Sequence, residues 1–461
     1  MRREGRRTPG SGLMRNLVRM LAAPAVLGLM TAPGTAQAPD STRTPDSAQV
    51  APELPGLPAG LDPSGPAAAY RRVAAITHPH GTMVGMALQL PVGSAQDPAG
   101  AEGTTALLVQ ALAQRAGDRL GGQGVGVGVE VNRSRTVFTV LAPPESWRDA
   151  LARLHRLLFD QPLSPAWGDR VLGQALESLR FQAQAPVETF EREAAALLVD
   201  GGSSWATPIR GTLESVAGLT ANDLETHRAR FLNPGTALLG LAGPLQAPDV
   251  DPTRAAVPGA GAAPGRAADS LPAGATGPAW RVGDRASLVR EVTSSWLSVA
   301  YPVDPTLPRT SLELLAHLLL EELDPVPPDA ARYSVDVELV DPPGGPVLRV
   351  TASLLPEALD RWEARVLETV RSLATNVLEE DFFRWRRRRF RAQRLLAEAA
   401  PEVQAARLTH DLAHLGHVRE LDAEVWSLGP ASVAEAARAL GEPRILRFGP
   451  DLAQDPDGPA R

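Results

Sequence analysis

Three closely spaced histidines, His410, His414 and His417, are the residues whose type and spacing most directly suggest chemistry. Positions i, i+4 and i+7 place three imidazoles on one face of a helix. Imidazole is a common zinc ligand, and Asp411 stands where a carboxylate could act on metal-bound water. The alternative is a polar helix face without metal, which the short reach of an Asp side chain favours.

Two other runs of residues resemble binding sites for phosphates. Six arginines and two aromatic residues stand together from Arg384 to Arg391, as in surfaces that bind phosphates. Spread over successive helical turns they cannot share one face, and the acidic residues at 379–381 suit the start of a helix. A solvated helix, or contact with an acidic partner, is favoured over nucleic-acid binding. The glycine-rich run Gly121 to Gly128 lacks the Lys-Ser/Thr pair of a phosphate-binding loop.

Composition excludes several classes of function. The chain has 461 residues and no cysteine, so disulfides, thiolate metal sites and cysteine nucleophiles are absent. Its formal net charge is −7, and its basic residues are all arginine. Residues 1–38 carry six Arg and one Glu, so the remainder has a charge of −12. An acidic chain of this kind is not expected to bind nucleic acid.

The N-terminus has the pattern of a secretory signal. Arg15 and Arg19 precede an apolar run from Met20 to Met30, which Ala36-Gln37-Ala38 follows as a signal-peptidase site. We expect residues 1–38 to be a cleaved signal and the protein to be secreted or periplasmic. Translation from Met14, or retention of the run as a membrane anchor, are the alternatives.

Two globular regions of similar pattern follow. We expect residues 39–66 to be a Pro-rich, disordered leader and 246–278 to be a Pro/Gly/Ala-rich linker between regions at 67–245 and 279–452, with a short tail at 453–461. Matching landmarks recur at offsets of 211 (Val92 and Val303), 209 (Leu219 and Leu428) and 206 (Gly243 and Gly449). The near-constant offset predicts a tandem duplication.

The periodicity within each copy predicts an α+β fold. In the first copy, runs rich in apolar and β-branched residues predict strands at 84–90, 125–131 and 136–141, the last two joined by a polar turn. Helices are predicted at 104–113, 147–159, 165–182 and 187–199, the last two divided by Pro186. The predicted copy is a mostly antiparallel sheet with helices on one face.

The sequence resembles the M16 (insulinase or pitrilysin-like, inverted-zincin) metallopeptidases over roughly residues 70–450. The resemblance rests on Pro208-Ile-Arg-Gly-Thr-Leu-Glu-Ser-Val216, on Leu219-Thr220 with Asn222-Asp223-Leu224, and on Phe231-Leu-Asn-Pro234. Val92-Gly93-Ser94-Ala95-Gln96-Asp97 and Gly103 are similar to the segment before the family's first long helix. The resemblance implies two tandem M16/LuxS-like metallohydrolase copies, in which the segment after Gly121 leads to an edge strand that receives peptides by β-augmentation.

The zinc site that the family implies is degenerate here. Active members carry H-x-x-E-H on the first helix, two zinc ligands and a general base. Matching Gly103 and Leu107-Leu108 to that pattern places Ala106 and Gln110 at the ligand positions and Val109 at the base. Ala and Val offer no lone pair, and a neutral amide is a poor zinc ligand. No zinc or other cofactor is therefore expected.

Two further family positions are only partly kept. The third zinc ligand falls at Ser178, or at Glu177 after a one-residue slip. In the second copy Tyr333 resembles the tyrosine that steadies substrate, but the matching Arg would fall in Leu323 to Pro328, where there is none. His317 occupies the duplicated ligand position without partners, which predicts a partly exposed structural histidine.

The sequence thus predicts an exported M16-like protein that is not itself catalytic. M16 proteins of this size commonly work as clamshell pairs, so the resemblance implies an H-x-x-E-H-containing M16 partner and a bound peptide or unfolded polypeptide. The alternatives are a metallopeptidase using the His410, His414 and His417 site, and a stand-alone peptide-binding or scaffold protein.

Overall fold

The computed structural model describes residues 70–182, 185–199, 204–246, 285–324, 332–342 and 345–450. The predicted signal, the leader, nearly all of the linker and the whole of the tail lie outside these residues. None of the helices in the described ranges combines the length and the apolar character needed to cross a bilayer.

The first copy contains a five-stranded sheet in the order β1-β5-β2-β4-β3. Its strands are β1 (Arg72–Thr77), β2 (Val84–Leu90), β3 (Gly126–Val131), β4 (Thr136–Ala142) and β5 (Leu238–Gly243). Only β1 and β5 pair in parallel. The helices are α1 (Thr104–Leu120), α2 (Trp147–His155), α3 (Pro165–Gln182), α4 (Pro186–Leu197), α5 (Leu213–Ala217) and α6 (Ala221–Phe231).

The second copy repeats this topology in the order β6-β10-β7-β9-β8. Its strands are β6 (Arg285–Val289), β7 (Ser295–Pro302), β8 (Arg332–Val340), β9 (Val347–Leu354) and β10 (Arg444–Gly449). Its helices are α7 (Arg309–Leu323), α8 (Leu359–Thr375), α9 (Glu380–Ala397), α10 (Pro401–His414), α11 (Leu421–Ser427) and α12 (Pro430–Arg438). The predicted tandem α+β fold is therefore confirmed.

Element boundaries follow local chemistry closely, with two differences. The first long helix continues past the predicted Ala113 to Leu120, where Gly124 in the left-handed region (φ 71°) ends the turn that follows. The helix predicted at 147–159 stops being α-helical at His155 and continues as one π turn, Arg156–Asp160. The buried Leu157 and Leu158 of that turn still pack in the first core.

Helices cover both faces of each sheet, contrary to the prediction of one face. The outer face of each sheet receives a helix from the other copy: α10 lies on the first sheet, and α4 lies on the second. Two glycines let α10 touch the strands, since a Cβ on Gly85 would lie 2.1 Å from the Pro401 carbonyl carbon and one on Gly240 2.1 Å from the Ala405 oxygen. In the second sheet Phe190 of α4 packs on Phe448. A pattern read along one copy cannot reveal this exchange, because the covering helix is far away in sequence.

Candidate functional site

The start of α1, where the family carries its zinc ligands, is held by a buried carboxylate. Asp97 accepts hydrogen bonds from the backbone N–H groups of Gly103 and Thr105, both at 2.8 Å. It also accepts one from the Thr105 hydroxyl at 2.6 Å. These bonds satisfy donors that the first turn of a helix leaves free. Asp97 therefore caps α1 from outside the helix.

A buried histidine completes this cap. His227 on α6 lies 2.8 Å through Nε2 from the Thr105 hydroxyl, and its ring packs on Phe231. Because that hydroxyl gives its proton to Asp97, His227 must donate through a protonated Nε2 as a neutral ring. Burial lowers the pKa of His227 to about 4 and raises the pKa of Asp97 to about 6. Thr105 is completely buried, so the cluster has no accessible nucleophile. Its role is structural.

The segment 208–216, on which the family resemblance partly rests, also serves the start of α1. The Ser215 hydroxyl donates to the Glu102 carbonyl at 2.8 Å. Gly211 has φ 74°, and a Cβ there would lie 2.0 Å from the same oxygen. A Cβ on Gly103, whose φ is 98°, would lie 2.5 Å from the Arg210 carbonyl oxygen. Only glycine fits at both positions.

The three positions matched to the family's zinc motif have different surroundings. Ala106 is half-buried and Gln110 is exposed, so these two residues, which are one helical turn apart, share the more accessible face of α1. Val109 is completely buried in the first hydrophobic core with Leu108 and Leu112. A carboxylate at position 109 would be surrounded by apolar side chains. Across the described ranges, no group of three or more His, Asp or Glu side chains is arranged to hold a metal ion.

Of the remaining family positions, Glu177, Ser178 and Tyr333 lie at the surface, whereas His317 is buried. Glu177 and Ser178 are both exposed on α3, which packs against α1. Tyr333 is 63% exposed and is the bulged residue of β8, between Arg332, which pairs with Leu354, and Ser334, which pairs with Ser353. His317, predicted to be partly exposed, is instead buried against Phe390 and lies 3.4 Å from a Glu321 oxygen.

An edge strand lies beside α1. β3 is the last strand of the first sheet and pairs only with β4 among the described residues. Val127, Val129 and Val131 pack on the first core, while Gly126 and Gly128 are exposed on the opposite face. The prediction of an edge strand after the glycine-rich run is confirmed.

The histidine cluster at the end of α10 contains an arginine. Nη1 of Arg135, in the β3–β4 turn, lies 2.6 Å from Nδ1 of His410 and 2.9 Å from Nε2 of His414. Both imidazoles thus accept from one guanidinium and must be neutral at these atoms. Burial, and then the charge of Arg135, lowers the pKa of both histidines. A cation occupies the space between the two nitrogens that a metal would need.

The other two members of the predicted site are not on this face. α10 ends at His414, so His417 lies beyond the helix, and its Nδ1 is 3.2 Å from the Leu415 carbonyl oxygen. The predicted single face of three imidazoles is therefore wrong. Asp411 is completely buried and binds Arg419 at 2.9 Å, so it is not available as a base.

The arginine run on α9 is largely neutralised inside the second copy. Arg389 pairs with Glu321 at 2.8 Å and Arg391 with Asp422 at 2.8 Å. Arg386 pairs with Glu322 at 2.6 Å and stacks over the ring of Phe382. The acidic groups that these arginines meet thus belong to their own copy, and the contact with an acidic partner stays a prediction.

Comparison with solved structures identifies the fold. A peptidase M16 inactive domain from Pseudomonas fluorescens is 16% identical, with a TM-score of 0.65 over 84% of this chain and 98% of that one. A protease from Helicobacter pylori is 10% identical, with a TM-score of 0.69 over 83% and 98%. The periplasmic protease PqqL from Escherichia coli is 12% identical, with a TM-score of 0.62 over 81% of this chain and 44% of that one.

This chain therefore has the two-copy fold of the M16 peptidases, as the sequence predicted. No known family profile matches the sequence, and no curated protein matches it either. The similarity lies in the fold. The sequence identity to these structures is low, so positions in the site are matched by local motifs and not by overall alignment.

Sequence reasoning missed His227 and Arg135. Asp97 was matched to the family pattern, but His227 reaches the Asp97 cap from 122 residues after Thr105. Arg135 meets His410 across 275 residues. Neither contact has a local signal in the sequence.

Proposed function

We propose that this protein is an exported, non-catalytic M16-like subunit that holds an extended peptide along β3 and completes a chamber with a zinc-bearing M16 partner. The observation that carries the proposal is the face of α1. Ala106 and Gln110 provide no zinc ligand of the usual kind, and Val109 is completely buried in the core. A hydrolytic water would have neither a metal nor a base.

The peptide-binding half of the proposal rests on β3. An edge strand offers unpaired N–H and C=O groups to a strand of another chain. The helix start next to it is fixed by Asp97, by Gly103 and by the Gly211 loop, so this wall of the site is rigid. Keeping this scaffold without the catalytic groups suits a protein that binds and orients peptide.

Export and partnership rest on other observations. The pattern of residues 1–38 is that of a secretory signal, and the similar PqqL fold belongs to a periplasmic protease. The inactive domain from Pseudomonas fluorescens is a comparable fold without activity. An M16 chain that lacks its own zinc site gains a role in proteolysis through a partner that has one.

The first experiment separates binding from cleavage. The purified mature chain is incubated with short fluorescent peptides, and metal content, anisotropy and cleavage are measured together. We expect binding without stoichiometric zinc and without cleavage, and reduced hydrogen exchange in residues 126–131 on binding. Stoichiometric zinc with cleavage, abolished by a chelator, would overturn the proposal in favour of a metallopeptidase.

The second experiment tests the partner. An M16 chain from the same genome with an intact H-x-x-E-H motif is co-expressed, and the complex is isolated by affinity purification. We expect co-purification and cleavage that needs both chains. Peptide binding by this chain alone, with no complex and no effect on the partner's activity, would instead support the stand-alone peptide-binding protein.

A further inference from the structure

The face of β3 that α10 leaves open has an unusual shape. Gly126, Gly128 and Glu130 lie on this face, opposite Leu141, Thr139 and Val137 of β4. Val137 is covered by Ala405 of α10. Both glycines are exposed, and Thr139 and Leu141 are only half-buried. Cover by α10 therefore stops short of the outer end of the sheet.

Space is available directly above Gly126. A Cβ built there would have no neighbour closer than the Leu141 Cβ, at 4.0 Å. Leu141 is also one wall of a surface cavity of about 490 Å³, together with Met83, Pro401 and Glu402. One oxygen of Glu402 is buried without a hydrogen-bond partner within the described part of the chain. The open strip above Gly126 thus continues toward a cavity at the start of α10.

We infer that β3 selects extended peptides that carry an aromatic side chain beside Gly126. This inference rests on the proposed function, since it concerns the peptide that β3 would hold. A strand added to β3 places alternate side chains on the α10 face, about 5 Å from the residues directly opposite. Beside a glycine there is no Cβ to hold them away from the backbone.

An aromatic ring makes the best use of this geometry. Large rings cover edge glycines in sheets, and each ring buries roughly 150–250 Å². Lying across Gly126, a ring would reach the exposed sides of Leu141 and Thr139, which the added strand itself cannot cover. Small side chains would leave this apolar surface in contact with water. Selection therefore comes from the missing side chain of Gly126 together with the partly exposed Leu141.

The test compares two labelled peptides that differ only in having Phe or Ala at one inward-facing position. We expect the wild-type protein to bind the Phe peptide at least ten times more tightly. The Gly126→Val variant should fold, because the position is open and valine favours strands. It should lose most of the Phe preference, so that the ratio of the affinities for the Phe and Ala peptides falls toward one. Gly121→Ala, also in open space but outside the strand, is the matched control and should change neither affinity.

The outcomes separate the two proposals. Equal affinity for Phe and Ala peptides, with protection of β3 from exchange, would overturn the aromatic selection and leave peptide binding standing. A Phe preference that survives in Gly126→Val would also overturn it, because the ring would then bind elsewhere. No binding of either peptide, at any concentration that leaves the protein folded, would refute the proposed function itself.

Discussion

The packing of α10 on the first sheet should be essential for the stability of both copies, and Leu408→Ala tests this. Leu408 is completely buried and packs on Ala74 and Leu238 of the first sheet, although it belongs to the second copy. Truncating a fully buried Leu costs about 2–5 kcal/mol, through lost transfer free energy and the cavity left behind. The packing above β1 and β5 is close, so little collapse is available and the cost should fall in the upper half of that range.

The assay is urea unfolding, with hydrogen exchange to locate the effect. We expect a lower free energy of unfolding and faster exchange in β1 and β5 as well as in α10. Leu396→Ala is the matched control, since Leu396 is 70% exposed on α9, and it should change stability by less than about 0.5 kcal/mol. Two results would refute the packing of α10 on the sheet of the other copy. One is a decrease of less than about 1 kcal/mol in the free energy of unfolding of Leu408→Ala, and the other is faster hydrogen exchange that is confined to α10.

Three further predictions concern the start of α1 and the histidine cluster. Gly211→Ala should lower the free energy of unfolding by more than about 2 kcal/mol, because the left-handed backbone and the nearby Glu102 oxygen exclude a Cβ. Gly117→Ala, in open space within α1, is the control and should raise the free energy of unfolding by about 0.5–1 kcal/mol. Similar urea midpoints for the two variants would contradict this prediction. His410 has a lowered pKa, so the unfolded chain takes up the proton first and wild-type stability should fall below about pH 6.5, with a slope of at most ~1.4 kcal/mol per pH unit for this group. His410→Gln should remove that part of the slope, and parallel curves for the two proteins would contradict the assignment. Asp97 has the opposite sign, because its raised pKa of about 6 makes its contribution to stability decline as pH rises through that value. The free energy of unfolding of Asp97→Asn should therefore rise relative to that of the wild type between about pH 4 and pH 7. A difference in stability between the two proteins that is independent of pH would show that the Asp97 pKa is not raised.

The expectation that α1 carries no zinc site came from the family resemblance, which located the positions, and from the residue types found there. No arrangement of Ala106 and Val109 can supply an imidazole or a carboxylate. The duplication and the α+β fold were also predicted, because hydrophobic periodicity and turn residues act over a few neighbours. The edge position of β3 came from the family resemblance. All of these conclusions rest on local pattern.

The site at His410 shows where such reasoning stops. Helical spacing correctly brought His410 and His414 together, and their rings lie 4.3 Å apart. It failed for His417, because α10 ends at His414. It also gave no sign of Arg135, which fills the space between the two rings from the other copy.

What the sequence alone determined is thus the inventory of groups and the order of elements. Only the tertiary structure decided which groups meet: Asp97 with His227, Arg135 with His410 and His414, and α10 with the sheet of the other copy. Those contacts depend on how two copies of similar pattern pack on each other. The free energy of that packing comes from burial summed over residues far apart in sequence, and no local pattern records it.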